Sequence, residues 1–215
     1  MRIRKIAVAL LGLLMAGTCA AQINSSLPYR TLDPVKAPVS GVLGDTRKDR
    51  IEVIQFFYFG CPHCFDQQPL IDDWLAKIPA DVEFRYLPAL RDDKWITLTR
   101  AYFALAALGE EKRLRRPIYE VINFDGVMLG DEKVLFDRVA RNGVDRARFA
   151  EAFNSEDTAA RLALARKMTA DYNIRATPTL VVGGKSLFSS GEAGSHHEAI
   201  RLLDQWVDTV RRERR

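Results

Sequence analysis

The chain has 215 residues, of which 47% are hydrophobic and 28% are charged. This composition is typical of one globular domain, or of one domain with an insertion, and it excludes a disordered, collagen-like or repeat architecture. The formal net charge of +4, from 32 basic and 28 acidic side chains, gives no indication of nucleic-acid binding. We interpret the basic clusters at residues 113–116 and 211–215 as solvated helix ends.

Residues 1–21 are typical of a secretory signal peptide. A positively charged start precedes an apolar stretch that is too short to span a bilayer, and a run of small residues suited to cleavage follows. These parts are Arg2, Arg4 and Lys5, then residues 6–15, then residues 16–21. Cleavage removes three of the 32 basic residues and leaves 29 against 28 acidic ones. The alternative is a lipid anchor on Cys19, which we disfavour because Thr18 precedes the cysteine where Gly or Ala is usual.

Cys61 and Cys64 are the two cysteines that remain once Cys19 is removed with the leader. An exported protein works in a compartment that permits disulfides. A structural disulfide usually closes a long loop, because a longer loop constrains the unfolded chain more, whereas this pair closes almost none. The spacing therefore favours a pair with a chemical rather than a structural purpose.

The first half of the mature chain predicts strand, helix and strand, which is a βαβ unit. The predicted elements are a short edge strand at residues 35–39, a buried central strand at 51–59, a helix at 62–77 and a strand at 82–87. Cys61 is expected near the N-cap of the helix, with Pro62 in the first turn, where its missing N–H removes no hydrogen bond. Pro69 lies inside the helix and predicts a kink.

The second half predicts a block of helices and then a return to strands. Helical spacing covers residues 97–108, 115–122, 132–141, 146–153 and 157–172, with Gly109 as a stop signal and Asp131, Asp145 and Ser155 as start signals. Strands at residues 179–182 and 185–188 flank the hairpin signal Gly183-Gly184. Gly191 and Gly194 are expected in a loop, and a helix over 195–211 closes the chain. We expect an α/β domain made of residues 22–90 and 168–215, interrupted by an all-helical insertion at 91–167.

Thiol chemistry at this pair requires a thiolate, which an ordinary cysteine with a pKa of about 8.5 rarely supplies at neutral pH. Three features are expected to lower the pKa of Cys61: the helix N-terminus, the neighbouring His63, and the lack of an acidic residue within five positions before the cysteine. Cys61 is therefore the expected nucleophile, and Cys64 points back into the first turn. A zinc site on the pair is disfavoured, because His196 and His197 are adjacent and are expected at the polar start of the last helix.

The segment at residues 56–69, FFYFGCPHCFDQQP, resembles the active site of the DsbA family. Pro62 and His63 are the two residues that this family has between its cysteines. The pair Thr177-Pro178 is similar to the family's cis-proline loop, and the position of the helical block also matches. The resemblance extends over about residues 30–212, and it implies a thioredoxin fold with an inserted all-helical domain.

The resemblance also implies a function. A DsbA-like protein is a periplasmic thiol:disulfide oxidoreductase that donates its disulfide to unfolded, newly exported proteins. Cys61 would be the nucleophile, Cys64 the resolving cysteine and His63 the group that stabilises the thiolate, while Thr177 and Pro178 would bind substrate. No cofactor or metal would be needed besides the Cys61–Cys64 disulfide, a DsbB-type quinone-linked membrane oxidase would reoxidise it, and we expect a monomer.

One position departs from the family pattern. DsbA proteins often carry a buried acid six residues before the first cysteine, where it assists proton transfer to the second, and this chain has Gln55 there. Glutamine can form hydrogen bonds but cannot take up a proton, which leaves water as the candidate partner for Cys64.

Three other functions remain as alternatives. The first is a disulfide isomerase or reductant of the same fold; known isomerases of this type carry an N-terminal dimerisation domain, for which the lead segment is too short. A peptide-binding chaperone would keep its function without Cys61. A cytosolic glutathione-dependent relative conflicts with the predicted signal peptide.

Overall fold

The computed structural model describes residues 27–36, 49–127 and 129–215, in which five strands form one sheet. The strands are β1 Arg30–Thr31, β2 Ile51–Phe57, β3 Val82–Pro88, β4 Thr179–Val182 and β5 Ser186–Ser189. Their order is β1-β5-β4-β2-β3, with β2 and β3 parallel and the other neighbouring strands antiparallel. The parallel pair is connected by the helix that follows the cysteines, so the predicted βαβ unit is present.

The helices fall into three groups along the chain. They are α1 Pro62–Leu75, then α2 Ile96–Ala107, α3 Glu111–Asn123, α4 Glu132–Arg141, α5 Arg146–Phe153 and α6 Glu156–Asp171, and finally α7 Ser190–Ala193 and α8 His196–Glu213. The predicted start signals Asp131, Asp145 and Ser155 are N-caps whose side chains accept backbone N–H groups of the first turn. Helices α2–α6 stand between β3 and β4 with no strand among their described residues, as the sequence predicts.

The central strand β2 is buried on both faces, which explains its continuous apolar sequence. Ile51 and Val53 belong to a core cluster with residues of α1 and α8. Ile54 and Phe56 belong to a second, larger cluster to which α2–α6 contribute. The helical block therefore forms the core on one face of the sheet, and α1 and α8 form it on the other.

The prediction of an edge strand at residues 35–39 is wrong for its described part. Residues 35 and 36 are not in a strand, and residues 37–39 lie outside the described ranges. The edge strand is instead β1, which pairs with β5 through Arg30↔Leu187 and Thr31↔Ser186. Pro34 interrupts the segment that follows β1, because proline has no N–H to donate to a neighbouring strand.

The prediction that Gly191 lies in a loop is also wrong, since Ser190–Ala193 form the short helix α7, whereas Gly194 lies outside the helix as predicted. The Ser189 side chain accepts the backbone N–H of Glu192 at 3.1 Å, and the Glu192 carboxylate accepts the Ser189 N–H at 2.8 Å. This capping box is a local signal that the two glycines of the segment obscure. The interpretation of Arg115 as a solvated residue is wrong too, because its side chain is buried.

The predicted signal peptide, with Cys19, lies outside the described residues. Within the described ranges, none of the helices has the length and apolar character that crossing a membrane requires.

Candidate active site

The two cysteines lie where β2 gives way to α1. Cys61 is the N-cap of α1 and Pro62 its first residue, as the sequence predicts. A hydrogen bond from the Cys61 backbone N–H to the Tyr58 carbonyl (3.0 Å) forms the turn between the strand and the helix. The two cysteines are free thiols, Cys61 partly exposed and Cys64 fully buried. Only the first sulfur is therefore accessible to another molecule.

The loop before β4 reaches Cys61 from the far end of the chain. Strand β4 pairs antiparallel with β2 in the register Phe56↔Thr179, which places residues 177 and 178 beside the end of β2. The Cys61 thiol donates to the Thr177 carbonyl oxygen at 3.2 Å. The Thr177–Pro178 peptide bond is cis. The structure thus brings together Cys61 and the two residues for which sequence resemblance implies substrate binding.

The surroundings lower the pKa of Cys61 from 9.0 to about 6. A hydrogen bond from the Cys64 thiol has the largest effect, and burial opposes it. A hydrogen bond from the Thr177 side chain, a hydrogen bond from the Cys64 backbone N–H and the charge of His63 lower the pKa further. His63 therefore acts in the direction expected from the sequence, but the hydrogen bonds from Cys64 contribute more.

The pKa of Cys64 moves in the opposite direction. Burial raises it well above 9.0, and both the hydrogen bond to Cys61 and the charge of Cys61 raise it further. A buried thiolate at this position is therefore a strong base that takes up a proton readily. The pair is chemically asymmetric, with one accessible, acidic thiol and one buried, weakly acidic thiol.

A chain of buried amide and hydroxyl groups extends from Gln55 to the start of α8. The side-chain nitrogen of Gln55 donates to the side-chain oxygen of Gln67 at 2.9 Å. The side-chain nitrogen of Gln67 in turn donates to the Ser190 hydroxyl at 2.8 Å. The Ser190 oxygen also lies 2.8 Å from Nδ1 of His196. The side-chain oxygen of Gln55 (Oε1) is buried without a hydrogen-bond partner. Sequence reasoning singled out Gln55 but missed this chain, since its members are far apart along the sequence.

A cleft lies next to the dithiol. His63 and His196 stand on one side of it, with ring centroids 6.0 Å apart. The remaining lining residues come from the loop before β4, the end of β5, α7 and the N-cap of α8: Ala176, Thr177, Pro178, Ser189, Ser190, Gly191 and Ser195. Sequence reasoning placed His196 correctly at the start of the last helix, but it gave no indication that this residue faces His63.

Comparison with known proteins gives one consistent family. The model of the DSBA-like thioredoxin domain matches residues 52–197. Two relatives named thiol:disulfide interchange protein DsbA are similar over nearly their whole length. The one from Pseudomonas syringae pv. tomato is 31% identical over 96% of this chain and 92% of its own, and the one from Azotobacter vinelandii is 30% identical over 94% and 97%.

The crystal structure of Pseudomonas aeruginosa DsbA superimposes with a TM-score of 0.80 at 32% identity, covering 86% of this chain and 93% of that one. The predicted fold class, a thioredoxin fold with an inserted all-helical domain, is thereby confirmed.

Proposed function

Because the chain belongs to the DsbA-like thioredoxin family and is a disulfide-forming thiol:disulfide oxidoreductase, we propose that it oxidises newly exported proteins in the periplasm by donating a Cys61–Cys64 disulfide. The observation that carries this proposal is the asymmetry of the pair, with the pKa of Cys61 lowered to about 6 and that of Cys64 raised. Stabilising the Cys61 thiolate stabilises the reduced protein, and therefore makes its disulfide a stronger oxidant.

In the first step, a thiolate of the client attacks the Cys61 sulfur. The bond between Cys61 and Cys64 breaks, and its electron pair leaves on the Cys64 sulfur. Because the pKa of Cys64 is high, this sulfur takes up a proton at once. Gln55, which stands in place of an acid, cannot supply that proton, and water does so.

In the second step, another client thiolate attacks the client's own sulfur in the mixed disulfide. Cys61 departs as a thiolate, which its low pKa favours. The client has lost two electrons and two protons to form its disulfide, and the reduced protein holds Cys61 as a thiolate and Cys64 as a thiol. No cofactor takes part besides the cysteine pair.

The Thr177 and Pro178 loop would hold the client. The Thr177 carbonyl oxygen lies 3.2 Å from the Cys61 sulfur, so an extended client segment that pairs with this backbone places its cysteine next to the reactive sulfur. Recognition through main-chain hydrogen bonds suits clients of varied sequence.

Three further parts of the proposal concern export, reoxidation, and the monomer with its domain organisation. The signal peptide at residues 1–21 would direct export, and a DsbB-type quinone-linked membrane oxidase would accept the two electrons from the reduced pair. We propose a monomer in which residues 22–90 and 168–215 form the thioredoxin-like domain and 91–167 the insertion.

The reduction potential of the Cys61–Cys64 pair tests the proposal. The mature protein is equilibrated in glutathione buffers, and its free thiols are counted. DsbA itself has a known potential of about −120 mV, against about −270 mV for thioredoxin. A value more positive than the glutathione range of about −220 to −260 mV supports an oxidase. A value near that of thioredoxin contradicts it and favours a reductant.

Two serine variants separate the roles of the cysteines. With Cys64→Ser, the Cys61 thiolate should attack the disulfide of an oxidised client and expel one client thiolate. The mixed disulfide should then accumulate, because the Cys64 thiol that would displace the client is missing. With Cys61→Ser, no mixed disulfide should form, because the remaining sulfur is buried. Non-reducing electrophoresis distinguishes these outcomes, and equal trapping by both variants contradicts the assigned roles.

A further inference from the structure

Three side chains that can bind a metal ion meet beside the dithiol. They are His63 and Asp66 in the first turns of α1, and His196, the first residue of α8. One potential ligand atom from each residue lies within 4.8 Å of the other two. Ligand atoms that surround one zinc ion at about 2.0–2.2 Å are about 3–4 Å apart. Small side-chain rotations therefore suffice to bring all three onto one ion.

The positions of these residues on α1 and α8 place their side chains near one another. His63 and Asp66 are three residues apart on one helix, and residues with this spacing are neighbours on the helix surface. The ring of His196 faces that of His63, with centroids 6.0 Å apart. The group thus joins two helices that are far apart along the chain, which is why the sequence gave no sign of it.

His196 has the support that metal-binding histidines usually receive. Its Nδ1 lies 2.8 Å from the Ser190 hydroxyl, which the buried amide of Gln67 holds in place. In the tautomer that carries its proton on Nδ1, this nitrogen donates to the hydroxyl, and the lone pair of Nε2 can bind a metal ion. A hydrogen bond from the other ring nitrogen orients a metal-binding imidazole and fixes its tautomer.

We propose that His63, Asp66 and His196 form a binding site for a divalent transition-metal ion of the zinc type. Two imidazoles and one carboxylate suit Zn²⁺, Co²⁺, Ni²⁺ or Cu²⁺, whereas Mg²⁺ and Ca²⁺ prefer oxygen ligands throughout. Three protein ligands leave a coordination position for water or another molecule. The site departs from the expectation that this protein binds no metal, and it lies at the rim of the cleft that Thr177 and Pro178 line.

Calorimetric titration with Zn²⁺ tests the proposal. The mature protein is first oxidised, so that Cys61 and Cys64 are joined and do not offer thiolate ligands. We expect one ion per chain, with affinity at least tenfold weaker in Asp66→Asn and in His196→Asn. Loss of an outer hydrogen-bond partner typically weakens a metal site about 10–100-fold, and Ser190→Ala should fall in or near this range. His197→Asn is the matched control, because this adjacent histidine is outside the group, and its affinity should equal that of the parent.

The unfolding temperature, measured with and without Zn²⁺, distinguishes a variant that has lost its metal site from one that has lost its fold. Zn²⁺ should raise the unfolding temperature of the oxidised parent and of His197→Asn, and should raise that of Asp66→Asn much less, since ligand binding to the folded state stabilises it. Asp66 is exposed, so its substitution leaves the fold intact. The proposal is overturned if the parent does not bind Zn²⁺, or if Asp66→Asn and His196→Asn bind it as tightly as the parent does.

Discussion

The low pKa of Cys61 makes the stability of the reduced protein depend on pH. The folded pKa of about 6 lies well below the reference value of 9.0 taken for the unfolded chain. A depressed pKa contributes stability that is complete above the unfolded value and is lost as the pH falls through the folded value. Lowering the pH from 7 to 5 therefore protonates the thiolate and removes its contribution.

The magnitude follows from the two pKa values. With one pKa unit worth about 1.36 kcal/mol, the thiolate adds about 1.4 kcal/mol to the free energy of unfolding of the reduced protein at pH 7. At pH 5 the same expression gives about 0.1 kcal/mol. Cys64, whose pKa is raised, remains protonated over this range in both the folded and the unfolded chain. The change of about 1.3 kcal/mol corresponds to about 30 mV in the potential of a two-electron pair.

Urea unfolding of the reduced and the oxidised protein at pH 5 and pH 7 measures this change. The oxidised protein carries the same other titrating groups, so subtracting its free energy of unfolding at each pH isolates the thiols. Cys61→Ser is a second control and should follow the pH dependence of the oxidised protein. A difference between reduced and oxidised protein that stays constant from pH 5 to pH 7 would refute the reasoning, because the thiol would then titrate near its ordinary pKa.

Three further predictions concern stability, each measured as the free energy of unfolding in urea. Gln67→Leu should lose about 2–4 kcal/mol, because it removes two buried hydrogen bonds and leaves the Gln55 side-chain amide without a partner. Gly184→Ala should lose at least about 1 kcal/mol more than Gly109→Ala. Both glycines have positive φ, but a Cβ on Gly184 would lie 2.0 Å from a backbone oxygen, whereas Gly109 faces open space. Arg115→Lys should lose about 1–3 kcal/mol and Arg116→Lys less than about 0.5 kcal/mol, because the Arg115 guanidinium forms two hydrogen bonds with Glu111 and stacks 3.4 Å from a tyrosine ring.

Each of these predictions has a contrary result. A loss below about 0.5 kcal/mol in Gln67→Leu would mean that the buried amide chain adds little stability. Equal losses at the two glycines would mean that the lead segment moves away from the hairpin without effect. Equal losses at the two arginines would mean that the buried arginine behaves as a surface residue.

The parts of the fold that were predictable depend on local signals. Asp131, Asp145 and Ser155 cap their helices as predicted, because a cap acts on N–H groups within the next three residues. The apolar run at β2 identified the central strand for a related reason, since burial on both faces leaves no polar alternation.

The parts that were not predictable depend on contacts between distant segments. Arg115 looked like its exposed neighbours in the sequence, and only the fold places it over the Tyr86 ring at 3.4 Å. The environment of Cys61 was likewise predictable only in its local part. The helix N-terminus and His63 were visible in the motif, but the contact with Thr177 requires β4 to pair with β2. The meeting of His196 with His63 likewise depends on the docking of α8.

The contact between Cys61 and Thr177 has a consequence for the newly made chain. Synthesis begins at the N-terminus, so the cysteine pair emerges long before residue 177 exists. Until β4 docks beside β2, Cys61 lacks this partner, and Cys64 lacks the core cluster that the helical block completes. The nascent segment already contains His63 and Cys64, which lower the pKa of Cys61, but it lacks the burial that raises the pKa of Cys64. The difference in pKa between the two thiols is therefore complete only when the helical block and the last strands are in place.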